Sequence, residues 1–171
     1  VELGRGEILS PWKVRVNGKV LTTRNIIIAT GGKPVVPPIK NIDQVDYLTS
    51  DTLWQLRELP DRTVVLGGGP IGTELTQTFA RLGSQVTQVE FLPAILPLED
   101  PEFSELVQAQ LESEGVKVLT RHRATAVDVS AQNKSLVLVN AEGGQSSVEF
   151  DQLIIAVGRR ANTSGFGLEE L

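Results

Sequence analysis

The sequence predicts an α/β fold in which a doubly wound parallel sheet carries an antiparallel β-meander. Short apolar runs alternate with helical patterns and short loops, an order that is typical of parallel sheets. These runs are residues 64–66, 86–89 and 116–119. After them the pattern changes to strands joined by turns without helices, at residues 124–129, 136–140 and 147–150. We expect this meander to cover one side of the sheet.

The N-terminal region is predicted to form an antiparallel hairpin. Residues 12–16 alternate between apolar and charged side chains, as a half-buried strand does. The turn Asn17-Gly18 favours a hairpin, and residues 19–22 form the returning strand. The apolar residues 26–30 then predict a buried strand that runs into a glycine turn.

The next stretch is interpreted as a connection followed by a helix. Prolines keep residues 32–45 extended, so this segment is expected to link two bodies. Ser50 is suited to cap a helix that continues to about Leu59, and Pro60 ends it.

The chain is organised around a strand, a glycine turn and the start of a helix at residues 63–75. Gly67, Gly69 and Gly72 fit the pattern G-x-G-x-x-G, which binds the pyrophosphate of a dinucleotide. The first glycine permits the tight turn, the second lets a phosphate approach the backbone, and the third allows the helix to pack closely on the strand. Amides at the helix N-terminus and the helix dipole favour the negative charge. The motif therefore predicts a Rossmann-like dinucleotide site.

The surroundings of the motif support this interpretation. An apolar helix face follows it, made of Ile71, Leu75, Phe79 and Leu82. Gly83 is suited to end this helix. The second strand ends at Glu90, about 20 residues on, where an acid is expected to meet the ribose hydroxyls. The alternative, a glycine-rich turn in another kind of α/β protein, stays open at this point.

The remaining elements complete the predicted sheet. Asp100 and Pro101 are suited to begin a second helix, and Gly115 to end it. The expected apolar face of this helix consists of Phe103, Leu106, Val107 and Leu111. A last buried strand is predicted at residues 153–157, immediately before Gly158.

Composition argues against several classes of function. The net charge of −5 disfavours nucleic acid as a partner, and no apolar run reaches the length of a membrane span. Cysteine is absent, which excludes thiolate chemistry and disulfides within these residues. The single histidine, in Arg121-His122-Arg123, is interpreted as part of a solvated stretch, so we predict neither catalytic residues nor a metal site. Without Met or a signal peptide, the chain is expected to be a fragment of a cytoplasmic protein.

Three motifs in order, at residues 28–31, 67–74 and 156–163, resemble the pyridine nucleotide–disulfide oxidoreductases, a family of flavoproteins. The sequence looks most like the branch that contains mercuric reductase and dihydrolipoamide dehydrogenase. The resemblance implies that residues 1–41 and 161–171 are edge segments of an FAD domain and that residues 42–160 are an NAD(P)-binding domain.

The resemblance also implies residues that bind the cofactors. These are Gly67, Gly69, Pro70, Ile71 and Gly72 for the pyrophosphate; Glu74 and Gly158 for the nicotinamide end; Glu90, Phe91 and Ala124 for the adenosine; and Thr30 and Gly31 for FAD. The family's own FAD-binding glycine motif, its redox cysteine pair and its dimerisation domain are missing from this sequence. We therefore expect the fragment to bind a nicotinamide cofactor without turning anything over, and the parent enzyme to be a homodimer.

The implied activity is hydride transfer from NADH to flavin, and onward to a disulfide, a metal ion or another acceptor. NADH is expected over NADPH because Glu90 would repel a 2′-phosphate and residues 91–94 supply no cation. The rival interpretation is that an arginine of Arg121-His122-Arg123 reaches that phosphate. Two other functions stay open: a stand-alone nucleotide-binding or sensing module, and a flavoprotein of the NADH oxidase or ferredoxin reductase type.

Overall fold

The computed structural model describes residues 1–130 and 133–171, and it confirms the α/β fold. Two helices, α1 and α2, and the strands β1 to β13 are present in the described residues. In chain order they are β1 Gly6–Ser10, β2 Lys13–Val16, β3 Lys19–Thr22, β4 Gly32–Pro34, β5 Tyr47–Thr49, β6 Arg62–Leu66, α1 Pro70–Leu82, β7 Gln85–Val89, α2 Pro101–Ser113, β8 Lys117–Leu119, β9 His122–Val129, β10 Lys134–Asn140, β11 Gln145–Phe150, β12 Gln152–Ile155 and β13 Arg159–Ala161.

The chain forms two compact units. The smaller unit comprises Val1–Lys33 and Arg160–Leu171, and the larger unit comprises Pro34–Arg159. In the smaller unit β1, β2 and β3 form an antiparallel sheet, which confirms the predicted hairpin and adds a strand before it.

The buried strand predicted at residues 26–30 is wrong. These residues lie outside the strands, and the side chain of Ile27 is 90% exposed. An apolar run becomes a strand only beside a partner strand, and no described residue pairs with this one. Thr30 is instead held by Asn162, because its Oγ1 donates to the Asn162 carbonyl at 2.6 Å.

A parallel sheet of five strands forms the centre of the larger unit, in the order β5-β12-β6-β7-β8. The strand β12, which is the last of these five in the chain, lies between β5 and β6. The strand β6 therefore has a neighbouring strand on each side, β12 and β7. Val64 and Val65 of β6 are buried, as a central parallel strand requires. The strand β5 at the edge was not predicted.

The two faces of this sheet are covered by different elements. Val65 packs with Phe79 of α1 and Leu111 of α2 on one face. Val64 packs on the other face with buried residues of the meander β9-β10-β11, such as Leu136 and Phe150. The alternation along β6 therefore separates a helical layer from a meander layer, and the meander covers one side of the sheet as predicted.

Both helices begin and end close to their predicted residues, and each buries only part of its predicted apolar face. Leu111 of α2 is buried as predicted, and Leu75 of α1 and Val107 of α2 pack against the core. In α1, Phe79 is buried as expected, whereas Leu82 is 63% exposed. The residues buried in α1 are Gly72, Thr73, Thr76 and Phe79. In α2, Phe103 and Leu106 are exposed, and Ser104 is buried because its Oγ donates to the Ile95 carbonyl at 2.6 Å.

The helix predicted from Ser50 to Leu59 is wrong. This region holds one 3-10 turn, Leu53–Gln55. Thr52 ties the turn back to β5, since its Oγ1 accepts the N–H of Thr49 at 2.9 Å. Trp54 is 74% exposed and Leu59 is also exposed, although Leu56 packs against the core, so a longer helix would bury few of its apolar residues here.

The stretch predicted as a linker, residues 32–45, is largely built into the larger unit. Ile39 and Val45 are buried in its core. Lys40 pairs with the meander, because its N–H donates to the Thr125 carbonyl at 3.0 Å and its carbonyl accepts the N–H of Val127 at 2.8 Å.

Candidate functional site

A cleft of about 640 Å³ opens where the parallel strands of the larger unit end. Open α/β sheets bind ligands at this edge, outside the carboxyl ends of the strands. The cleft is lined by Pro37, Pro38, Leu66, Gly67, Gly68, Gly69, Pro70, Ile71, Val89, Glu90, Phe91, Leu92, Pro97, His122, Arg123, Ala124, Ala156, Val157 and Gly158. The glycine turn predicted to bind a dinucleotide thus lies in its wall.

Gly67 makes the tight turn off β6. Its φ is +119°, in the left-handed region, and its N–H donates to the Val89 carbonyl at 2.8 Å. A Cβ on this residue would lie 2.4 Å from the carbonyl oxygen of Ala156, at the end of the neighbouring strand. Only glycine satisfies both the dihedral angle and the close approach.

Gly69 and Gly72 differ in their surroundings. A Cβ on Gly69 would meet no atom within 4 Å, so this glycine leaves open space. A Cβ on Gly72 would lie 2.2 Å from the Gly67 carbonyl oxygen, so α1 packs directly on the turn. The first leaves room for a ligand at the start of α1, and the second lets the helix approach the turn.

Glu90 follows β7 and presents its carboxylate at the cleft. One carboxylate oxygen accepts the N–H of Gly68 at 2.5 Å, and the other accepts the N–H of Leu92 at 2.7 Å. Each oxygen is therefore held by one backbone donor and keeps further acceptor capacity. The carboxylate is fixed in direction before any ligand arrives.

Phe91 and Arg123 come from two different segments and stack at the cleft. The Arg123 guanidinium carbon lies 4.6 Å from the centre of the Phe91 ring, which is cation–π geometry. Backbone pairing brings the two segments together, because the N–H of His122 donates to the Glu90 carbonyl at 3.0 Å. Arg123 is exposed, whereas His122 is half-buried.

The far wall of the cleft is small and apolar. Ala124 lies near the start of β9, and Ala156 and Val157 follow β12. Gly158 has a φ of +128°, which a residue with a Cβ rarely adopts. This wall presents little side-chain bulk to a ligand.

The structure does not bring every predicted site residue to the cleft. Gly72 lies beneath the turn, and Glu74 is an exposed residue of α1 that does not line the cleft. Thr30 and Gly31 belong to the smaller unit, where Asn162 bonds to both of their carbonyls.

Two features at the site were not predicted from the sequence. The sequence offers Arg121 and Arg123 as possible partners of a 2′-phosphate, but it does not predict that Arg123 stacks on Phe91, because this is a contact between distant segments. Gln88 lies fully buried under the turn, with a hydrogen bond from its Nε2 to the Gly67 carbonyl at 3.2 Å. A polar residue inside an apolar strand was the available signal.

Neither a cluster of metal-binding side chains nor a helix able to span a membrane occurs in the described residues. Within residues 1–130 and 133–171, His, Asp and Glu side chains form no group of three that could hold a metal ion. Neither α1 nor α2, the helices of the described chain, combines the length and hydropathy that a membrane crossing requires.

Comparison with known proteins identifies relatives across the whole chain. A family model described as pyridine nucleotide-disulphide oxidoreductase matches residues 1–171. Mercuric reductase of Lysinibacillus sphaericus is 37% identical over 165 residues, covering 96% of this chain and 30% of that protein. Dihydrolipoyl dehydrogenase of Thermus scotoductus is 39% identical over 175 residues, covering 99% of this chain and 38% of that protein.

A solved structure agrees with these matches. The HOCl-induced flavoprotein disulfide reductase RclA from Escherichia coli superposes with a TM-score of 0.77 at 30% sequence identity, covering 94% of this chain and 36% of that one. The chain therefore spans about a third of the length of the relatives it matches. With its glycine turn, parallel sheet and full-length family match, the chain belongs to the pyridine nucleotide–disulphide oxidoreductase family.

Proposed function

We propose that the larger unit binds NADH for an FAD-dependent oxidoreductase of this family, in which hydride passes from NADH to flavin and onward to a disulfide, a metal ion or another acceptor. The observation that carries the proposal is the cleft, because the glycine turn and the Glu90 carboxylate line it together. The nicotinamide supplies the hydride when it is bound, and this chain supplies binding and orientation.

The cleft fits a dinucleotide from one end to the other. The open space at Gly69 and the start of α1 suit a pyrophosphate, which needs close approach to backbone amides. Glu90 would accept hydrogen bonds from the adenosine ribose, with Phe91 and Ala124 against the adenine. Gly158 would face the nicotinamide, and Glu74 remains a proposed contact near that end.

We infer the same division of roles for the domains as the sequence predicted. Residues 42–160 form the NAD(P)-binding domain, with residues 1–41 and 161–171 as parts of an FAD domain. The compact unit Pro34–Arg159, which contains the whole cleft, supports this assignment with shifted boundaries. Thr30 and Gly31 would contact FAD in the whole enzyme.

NADH is preferred over NADPH in this proposal. Both oxygens of Glu90 are held by backbone N–H groups, so the carboxylate cannot turn away from a 2′-phosphate. Placing two negative charges this close is costly, by up to several kcal/mol. The alternative is that Arg123, a cation that also lines the cleft, binds the 2′-phosphate of NADPH. Its guanidinium, however, stacks on Phe91.

The first prediction tests the cofactor and its preference by titration. NADH and NADPH are titrated into the chain at the same salt concentration, and NADH is expected to bind at least about tenfold more tightly. Glu90→Ala removes the repulsion and should reduce the difference between the NADH and NADPH affinities. Glu105→Ala, which removes an exposed acid of α2, is the control and should leave this difference unchanged.

Two results would contradict the proposal. If neither cofactor binds, the cleft is not a dinucleotide site. If NADPH binds more tightly than NADH, the assigned role of Glu90 is wrong, and Arg123→Gln should then weaken NADPH binding alone.

A further inference from the structure

Gln88 is a polar residue in the interior of the central sheet. Its side chain in β7 is fully buried, between the buried Val86 and Val89. The Nε2 donates to the Gly67 carbonyl at 3.2 Å and to the Thr73 Oγ1 at 3.1 Å. The Oε1 has no hydrogen-bond partner among the described residues. The buried unpaired oxygen costs free energy, and the two hydrogen bonds of the Nε2 offset part of this cost.

The bonds of Gln88 meet those of Glu90 on one peptide group. The carbonyl of Gly67 and the N–H of Gly68 belong to the same planar unit. Gln88 donates to the oxygen of this unit, and the Gly68 N–H of the same unit donates to the Glu90 Oε2 at 2.5 Å. Gln88 lies in β7 and Glu90 directly follows it, so the end of this strand holds the peptide at both its oxygen and its N–H.

Thr73 strengthens the same arrangement from the helix side. Its Oγ1 accepts from Gln88 and donates to the Gly68 carbonyl at 3.3 Å. The carbonyls of two successive glycines are thereby tied to side chains below the turn. Glycine has the widest choice of backbone angles, so such a turn needs external contacts to keep one conformation.

We propose that Gln88 is a positioning residue for the dinucleotide site. By fixing the plane of the Gly67–Gly68 peptide, it fixes the direction of the Gly68 N–H and hence of the Glu90 carboxylate that receives the ribose. This inference rests on the proposed function, since it assumes that the cleft binds NADH. This positioning role explains why a glutamine, with an unpaired buried oxygen, occupies the position below the turn.

The test compares NADH affinity with stability in Gln88→Met. Methionine has a similar length but cannot donate to the Gly67 carbonyl, and the loss of one such bond corresponds to an increase of about three- to tenfold in the NADH Kd. The urea midpoint should change little, because the substitution removes one unpaired buried atom and leaves the Gly67 carbonyl without this donor. A purely structural role would instead lower the midpoint together with affinity.

Thr76→Val is the matched control. The Thr76 Oγ1 is also fully buried and lacks a partner among the described residues, and it makes none of the bonds that hold the Gly67–Gly68 peptide. This variant should raise the urea midpoint and leave the NADH Kd unchanged. If Gln88→Met does not fold, Thr73→Val and Thr73→Ser provide the same comparison, and only the serine variant should keep the wild-type Kd.

Amide hydrogen exchange of the ligand-free protein separates the two proposals. In Gln88→Met the Gly68 amide should exchange faster than in wild type, whereas in Thr76→Val it should not. If Gln88→Met binds NADH as tightly as wild type, or its Gly68 amide is equally protected, the positioning role is overturned. If the wild-type protein binds no NADH but the Gly68 amide exchanges faster in Gln88→Met, the proposed function is wrong, and the conclusion that Gln88 fixes the Gly67–Gly68 peptide is still supported.

Discussion

Each glycine of the turn meets a different physical requirement. Gly67 needs a positive φ, Gly72 needs the absence of a Cβ against the Gly67 carbonyl, and Gly69 needs neither. With a φ of −73° and open space around it, Gly69 could be another residue as far as folding is concerned. Folding therefore places no requirement on Gly69, and its proposed role is to leave space for the pyrophosphate.

Gly69→Val is predicted to separate binding from folding. The valine side chain fits the backbone and the free space, so the urea midpoint should stay close to wild type. The valine fills the position proposed for the pyrophosphate, so the NADH Kd measured by calorimetry should rise by more than about tenfold. Gly72→Ala is the contrasting control, because its Cβ meets backbone and should lower the free energy of unfolding by about 1–3 kcal/mol. Unchanged NADH affinity in folded Gly69→Val would exclude the turn as the cofactor site.

What could be predicted for single residues depended on local pattern. The glycine spacing and the acid after the second strand placed Gly67, Gly69 and Glu90 at one cleft, since a strand–turn–helix unit brings them together. The stacking of Arg123 on Phe91 could not be predicted, because it depends on how the loop after β7 pairs with the start of β9.

At the scale of elements, the residues at which the helices begin and end could be predicted better than the residues that each helix buries. Gly83, Asp100 and Pro101 act locally, and the structure agrees with all three. The buried face depends on the partner surface, and a short polar residue such as Ser104 can face inward when it finds a carbonyl. The prediction of a Ser50–Leu59 helix is wrong for the same reason, because Trp54 and Leu59 stay exposed instead of packing on a partner surface.

The contact between the two helices leads to a pH prediction. Glu114 caps the C-terminus of α2, where the helix dipole disfavours a negative charge. Arg81 of α1 bonds both of its oxygens, at 2.7 and 2.9 Å. Chiefly these bonds to Arg81, and secondarily one from Gln110, lower the pKa of Glu114 to about 2. The stabilisation from this pair is therefore full above pH 4.5, the usual value, and is lost as the pH falls toward about 2.

Arg81→Gln should lower the urea midpoint at pH 7, and the difference from wild type should shrink as the pH falls from 4.5 to about 2. Arg57→Gln is the control, since Arg57 donates to backbone carbonyls, which do not titrate. Its difference from wild type should be the same across this range. A difference for Arg81→Gln that is equal at pH 7 and pH 2 would disprove the assigned cause.

At the scale of the whole molecule, the sequence and the structure divide the chain at different residues. The resemblance to the family places the first boundary between residues 41 and 42, and the prolines predict a linker at residues 32–45. The structure assigns Pro34–Arg159 to one unit, because Ile39 and Val45 are buried in its core. Proline content describes an extended backbone, and an extended backbone can still be packed.

The whole chain is predicted to bind FAD weakly. Thr30 and Gly31 are the only proposed FAD contacts in this sequence, and both are exposed in the smaller unit. The purified protein should be colourless, and an FAD fluorescence titration should show no saturation at micromolar concentrations, while NADH binds in the same sample. Isolation of a yellow protein with one flavin per chain would refute this.

The two ends of the larger unit meet. The N–H of Val35 donates to the Gly158 carbonyl at 3.0 Å, so this unit starts and stops at neighbouring points of its own backbone. A compact body with adjoining termini can be inserted into another chain, or circularly permuted, without a long connector. The DNA segment that encodes residues 34–159 could therefore be inserted into the gene of an unrelated protein, at a surface loop, and the inserted unit should still fold.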